Sequence, residues 1–174
     1  VVPNPTKIAP TSLSTIGYTS GTTGHPKGAM QSHQAVIMNG AMTNQMHMRD
    51  HEDCIISALP CPHVYANVIM MSMMMFGSKL VLHRTFDADA VLADIEKHQA
   101  TIVDGVPAMY MFMLNSPALA NVDLSSLKRC YVGGQTMPVS TMEAVETAFK
   151  VPLIELWGMT EIAGLGSTHP LYGP

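Results

Sequence analysis

Cys54-Ile55-Ile56-Ser57-Ala58-Leu59 opens the stretch that decides the fold, because from here the chain repeats one pattern as far as Leu156. After this first strand-like run comes an apolar helical run from Val64 to Phe76, then Lys79-Leu80-Val81-Leu82 as a second strand. Asp87 is a suitable N-cap for a helix that reaches to about His98. Thr101-Ile102-Val103-Asp104 reads as a third strand and Pro107 to Leu114 as a Met-rich helix. Arg129-Cys130-Tyr131-Val132 is a fourth strand, Pro138 to Phe149 a helix, and Pro152-Leu153-Ile154-Glu155-Leu156 closes the series. Strands alternating with helices of this length imply an α/β fold with a largely parallel sheet.

Working outward, the first fifty residues differ. Thr15-Ile16-Gly17-Tyr18-Thr19 reads as a strand that runs into the small-residue stretch from Ser20 to Gly24. Gly28-Ala29-Met30-Gln31-Ser32 is a short return strand, and a helix follows from His33 to about Met46. A chain of 174 residues with 47% hydrophobic and 13% charged residues can bury a real core and is not disordered. Its net charge of -4 advertises no basic face for nucleic acid or an anionic membrane. Cys54, Cys61 and Cys130 are odd in number and irregularly spaced, which implies no disulfide framework and a reducing, cytoplasmic setting. The Val64 to Phe76 run falls short of the roughly 20 residues of a membrane span.

The densest chemical signal is Tyr18-Thr19-Ser20-Gly21-Thr22-Thr23-Gly24-His25-Pro26-Lys27-Gly28. Glycines and small hydroxyl residues let backbone N–H groups approach an anion closely, and Lys27 adds a mobile positive charge. The common P-loop has a glycine directly before its lysine, a Ser or Thr after it, and then a helix. Here Pro26 precedes Lys27, Gly28 follows it, and a strand comes next. The residues therefore read as a phosphate-binding loop of another kind.

This loop resembles the phosphate loop of the adenylate-forming superfamily, which holds acyl-CoA synthetases, peptide-synthetase adenylation domains and luciferases. Three further segments resemble that family in the same order: Leu59-Pro60-Cys61-Pro62-His63, Val132-Gly133-Gly134-Gln135, and Glu155-Leu156-Trp157-Gly158-Met159-Thr160-Glu161. The resemblance extends over nearly the whole chain and implies part of the large N-terminal domain, residues 1–174, that binds ATP and the acyl group.

The resemblance also implies roles. Thr19, Ser20, Gly21, Thr22, Thr23, Gly24 and Lys27 would surround the triphosphate of ATP. Trp157 would lie against the adenine, Thr160 would bond the α-phosphate, and Glu155, Leu156, Gly158 and Met159 belong with the same ATP site. Glu161 would hold Mg²⁺, and His63, Gly133, Gly134 and Gln135 would border the acyl pocket. Members of the family carry a ribose-binding Asp, a hinge, and a catalytic Lys on a C-terminal domain. None of these follows Glu161 here, so the catalytic Lys is expected beyond Pro174, and the fragment alone is expected to be inactive.

The implied parent reaction is acyl-CoA synthesis: a carboxylate attacks the α-phosphorus of ATP, and coenzyme A then takes the acyl group. Leu59-Pro60-x-x-His63 and Met159 favour this branch over carrier-protein loading, which stays open alongside a catalytically silent nucleotide-binding fragment. The apolar runs at Val64 to Phe76 and Met109 to Met113 favour a fatty or other hydrophobic acid. Two local features have bland readings. The methionines, densest at Met70 to Met75, read as adaptable core filler. His47 and His51 stand at helical spacing suited to zinc, but a solvated helix end accounts for them better.

Overall fold

Neighbouring strand residues point to opposite faces of a sheet, and Ile55 and Ile56 make the consequence visible. Both have 0% exposure, yet Ile55 joins a cluster with Tyr65, Ile69, Ile102, Tyr131 and Ile154, and Ile56 one with Leu92, Ile95, Val103, Cys130, Val145 and Phe149. A sheet with apolar residues on both faces must be covered by helices on both, as parallel sheets are. Each fully buried aliphatic side chain in these clusters contributes about 1.5–3 kcal/mol.

The structure is a computed structural model that describes residues 7–20 and 24–170. Among these residues the main sheet has the order β4-β3-β5-β6-β7-β8, with β3 Cys54–Ser57, β4 Lys79–Leu82, β5 Ile102–Gly105, β6 Arg129–Val132, β7 Leu153–Met159 and β8 Gly164–Thr168. The pairings from β4 to β7 are parallel, and β8 alone returns antiparallel to β7. Helix α2 (Val64–Phe76) covers the Ile55 face. Helices α3 (Ala88–His98), α4 (Pro107–Leu114) and α5 (Val139–Phe149) cover the other.

Local chemistry sets the helix ends. Asp87 accepts from the Ala90 N–H at 2.8 Å, and Asp89 with Lys97 and His98 complement the dipole of α3. Gly77, at φ 76, ends α2 in the left-handed conformation that glycine adopts freely. The hairpin of β1 (Leu13–Thr19) and β2 (Lys27–Ser32) forms a separate two-stranded sheet and runs through the N-cap Ser32 into α1 (His33–Met46).

The expected α/β fold and its largely parallel sheet are present. β8 was not expected, because Gly164-Leu165-Gly166-Ser167-Thr168 carries two glycines and little β-propensity. Its edge position comes from β7 and from Asn39 of α1, whose side-chain amide donates to the Leu165 carbonyl (2.9 Å) and accepts from the Leu165 N–H (3.0 Å).

The core-filler reading of the methionines is corrected: Met38, Met42 and Met46 of α1 and Met73, Met74 and Met75 of α2 are exposed, as is Met111. Only Met113 and Met137 are among the fully buried methionines of the described residues. Met-rich runs have no strong polar periodicity, so the buried side of each helix is set by what it packs on. For α1 that is Gly40, where an added Cβ would lie 3.0 Å from Met71.

Candidate active site

In open α/β sheets the crevice beyond the carboxyl ends of the strands is where ligands bind. Here Gly133 and Gly134 follow β6 at that edge, facing the outer half of β7. The two glycines do different work. A side chain at Gly133 would collide with Leu156, whereas Gly134 takes φ +85 and turns the chain over the edge.

Gly134, Gln135 and Thr136 form one wall of a polar cleft of about 570 Å³, and Glu155, Leu156, Trp157 and Gly158 of β7 with Ser167, Thr168 and His169 form the other. Trp157 is 58% exposed, so it is not a core residue; its ring packs so closely on Gly166 that a Cβ there would collide with it. The Glu155 carbonyl accepts from the His169 N–H at 3.0 Å and the Thr168 hydroxyl at 3.3 Å, which fixes this wall.

Gly134, Leu156 and Gly158 also line a second, apolar cavity of about 40 Å³ behind the cleft. Its other walls are His63, Val64, Tyr65, Val68 and Ile69 at the start of α2, Gly164 and Leu165 of β8, and Thr43, His47 and Arg49. His63 is the N-cap of α2, its Nδ1 accepting from the Tyr65 N–H at 3.2 Å. A polar cleft and an apolar pocket therefore meet at three shared residues. Gln135 lies on the polar side and not in the apolar pocket, and Gly133 and Met159 line neither cavity. Met70 to Met75 and Met109 to Met113 do not line the apolar pocket either.

The hairpin is brought to this site by Thr160. Gln31 Nε2 donates to the Thr160 carbonyl at 2.6 Å, and the absent side chain of Gly17 leaves room for the Thr160 methyl, with which a Cβ would collide. Thr19 pairs with Lys27 at the loop end of the hairpin, and Lys27 and Gly24 are exposed there. Gly21, Thr22 and Thr23 lie outside the described residues. Thr160 and Glu161 form a 3₁₀ turn (Thr160–Ile162) whose last carbonyl accepts from Asn39 at 3.2 Å, and Glu161 is exposed. The β1-β2 hairpin, α1 and the Thr160–Ile162 turn thus meet through contacts between residues more than a hundred positions apart.

Of the stretch expected to be a solvated helix end, Met48, Asp50, His51 and Glu52 are exposed, whereas His47 and Arg49 are buried. His47 is 1% exposed and stacks on Tyr131 with ring centroids 4.0 Å apart. Its Nδ1 accepts from Arg49 (3.4 Å) and its Nε2 donates to Thr168 (3.3 Å). Burial, aided by the charges of Arg49 and Arg129, pushes its pKa down to about 2, so the ring is neutral. Arg49 pairs with Asp104 at 3.0 Å; burial opposes its charge, and Asp104 with the Tyr131 and Tyr65 phenols outweighs that, holding its pKa above the ordinary value. Arg129 pairs with Asp53 at 2.6 Å and donates to the Met48 carbonyl at 3.0 Å, pinning the loop before β3 to the sheet. Among the described residues no group of three or more His, Cys, Asp or Glu side chains is gathered for a metal.

Gln31, Asn39, Thr43, His47, Arg49 and Thr168 were absent from the sequence-based site. The ionisable residues His47 and Arg49 were the one signal visible in the sequence, since such groups go inside only when partnered.

An α/β sheet whose strand ends carry a glycine-turned polar cleft beside an apolar pocket, with the β1-β2 hairpin docked on Thr160, is a ligand-binding architecture. The family model described as "AMP-binding enzyme" matches residues 2–174, and the chain belongs to that family. The chain is 30% identical over 164 residues to a long-chain-fatty-acid–CoA ligase of Bacillus subtilis, covering 92% of this chain and 29% of the ligase. It is 35% identical over 161 residues to an indoleacetate–CoA ligase of Aromatoleum aromaticum, covering 92% and 31%.

The inhibitor-bound N-terminal domain of FACL13 from Mycobacterium tuberculosis superposes with a TM-score of 0.84 at 28% identity, over 94% of this chain and 42% of that one. The o-succinylbenzoate CoA synthetase of Bacillus subtilis, in complex with ATP and magnesium ion, gives 0.83 at 26%, over 93% and 33%. The chain therefore spans less than a third of the length of these two curated ligases. No helix among the described residues is long and apolar enough to cross a membrane.

Proposed function

We propose that these residues are the ATP- and acyl-binding part of an AMP-forming acyl-CoA ligase whose acid is fatty or otherwise hydrophobic. The observation that carries this reading is the junction of the two cavities at Gly134, Leu156 and Gly158. A ligase of this kind must bring a highly charged nucleotide and an apolar acid to one point, and a polar cleft opening onto an apolar pocket is the geometry that does so. Adenylation then joins a carboxylate oxygen to the α-phosphorus with loss of pyrophosphate, and the thiol of coenzyme A displaces AMP from the acyl carbon.

The chain's residues have distinct tasks in this reading. Thr19, Ser20, Gly24 and Lys27, with Gly21, Thr22 and Thr23, bind the phosphate tail, and Lys27 supplies positive charge there. Trp157 offers an exposed indole face to the adenine, flanked by Gly134 and Gln135, while Glu155, Leu156 and Gly158 build the wall behind it. Thr160 bonds the α-phosphate, and Met159 acts only by pairing with Gly164 to hold β7 and β8 together.

Glu161 fits Mg²⁺, because its exposed carboxylate stands alone and this ion takes one or two carboxylates and fills its shell with water and phosphate oxygens. The ion would neutralise phosphate charge. His63 and Gly134 border the acid. The chain would be part of an N-terminal domain, and the free thiols of Cys54, Cys61 and Cys130 suit the reducing cytoplasm.

The experiment is acid-dependent pyrophosphate release by the full-length protein, with acyl-CoA detected by mass spectrometry. Release followed by acyl-CoA is the expected result. ATP-independent behaviour with every acid would refute the ligase reading, and acyl-adenylate that never reaches coenzyme A would favour carrier-protein loading.

A further inference from the structure

Of the buried apolar residues of α2, Tyr65, Ala66 and Ile69 pack into the core beside Ile55 and Ile102, and Val68 does not. Its side chain lies against β8 at the wall of the apolar pocket instead. Val68 and Gly164 both line that pocket, and a Cβ built on Gly164 would stand 2.5 Å from Val68 Cγ2. Helix α2 and strand β8 therefore close on each other with no room for a methyl group between them. The seam is held from behind by Asn39 of α1, which bonds both polar backbone groups of Leu165 and donates to the Ile162 carbonyl at 3.2 Å. Gly164 takes φ +148, which L side chains rarely adopt, so the size of this contact is set on the Val68 side.

We propose that Val68 sets the length of the acid, its Cγ2 methyl closing the pocket against Gly164, and that the acid is correspondingly short. This rests on the ligase reading, which puts the reacting carboxylate at Gly134, Leu156 and Gly158, where the pocket opens onto the polar cleft. Two other apolar walls are less able to act as a stop. Tyr65 is tied by its hydroxyl to Asp104 at 3.0 Å, and Ile69 is 1% exposed within the core. Trimming either hollows the core before it lengthens the pocket. Size fixes the scale: a dry apolar cavity of about 150 Å³ holds one benzene, so 40 Å³ holds about two carbons, the tail of propionate.

The test runs acetate, propionate, butanoate, pentanoate and hexanoate on the full-length protein. Affinity is measured by calorimetry with a non-hydrolysable ATP analogue present, and kcat/KM by pyrophosphate release. In the wild type kcat/KM should peak at propionate or butanoate and fall about tenfold for each further carbon. Val68→Ala removes two carbons from the wall and should raise the ratio of pentanoate to propionate by about tenfold or more. Val68→Ile adds one carbon and should raise the ratio of acetate to propionate about tenfold. A residue that only supports the fold would change all five acids alike.

A wild-type optimum longer than butanoate overturns the proposal, as does an unchanged order of acids in either variant. If Val68→Ala does not fold, Val68→Ile decides. Turnover of no acid by the wild type would overturn the ligase reading, and the calorimetric affinities would then judge Val68 by the same ratios.

Discussion

Replacing His47 by glutamine should flatten the acid side of the protein's stability profile. His47 is buried against Tyr131, with Nδ1 accepting from Arg49 and Nε2 donating to Thr168, and its pKa falls from the ordinary 6.5 to about 2. Between these values the unfolded chain binds a proton at this residue and the folded one does not. Unfolding therefore takes up one proton, and stability rises with pH. The penalty is zero above pH 6.5 and grows by ~1.4 kcal/mol for each unit below it. Between pH 6.5 and 4.5 that amounts to about 2.7 kcal/mol from this one side chain. Denaturant unfolding at half-unit pH steps, followed by circular dichroism, gives the slope for the wild type and for His47→Gln. Loss of stacking on Tyr131 will lower the variant at every pH, but the difference in slope between the two profiles is the measurement. Parallel profiles, or an NMR titration of His47 near pH 6.5, would refute the buried, neutral imidazole.

In the full-length protein, Lys27→Ala should raise the KM for ATP about ten- to a hundredfold, with little change in acid binding measured by calorimetry; equal effects would make Lys27 a structural residue. Gly17→Ala should impair ATP use by pushing the Thr160 methyl, and Thr160→Ser, which removes that methyl and keeps the hydroxyl, should restore it in the same kinetic assay. Arg129→Met should destabilise by about 3–5 kcal/mol in denaturant unfolding, because Asp53 stays buried and charged, and Asp53→Asn added to it should recover part of the loss.

Much of this protein was legible before its structure. The βα alternation from Cys54 onward announced the parallel sheet, since buried strands and amphipathic helices have different periods and each run satisfies only one. Helix α2 and helix α3 begin where His63 and Asp87 can accept from their first turns, a local property that sequence alone carries. The Gly-, Ser- and Thr-rich run before Lys27 was equally plain as a motif, and with three later segments it pointed to the family to which the chain belongs.

What the sequence could not decide was which distant groups meet. Gln31 reaches Thr160 and Asn39 holds Leu165 through amide side chains that have no periodicity and no motif. The Met-rich helices turned much of their apolar surface outward, since a run that is apolar all round does not reveal its buried side. His47 and Arg49 looked like a wet helix end because charge is read locally as solvated. Only the tertiary structure brings Asp104 and Thr168 to them, and partners from β5 and β8 are what make burying an arginine and a neutral imidazole possible.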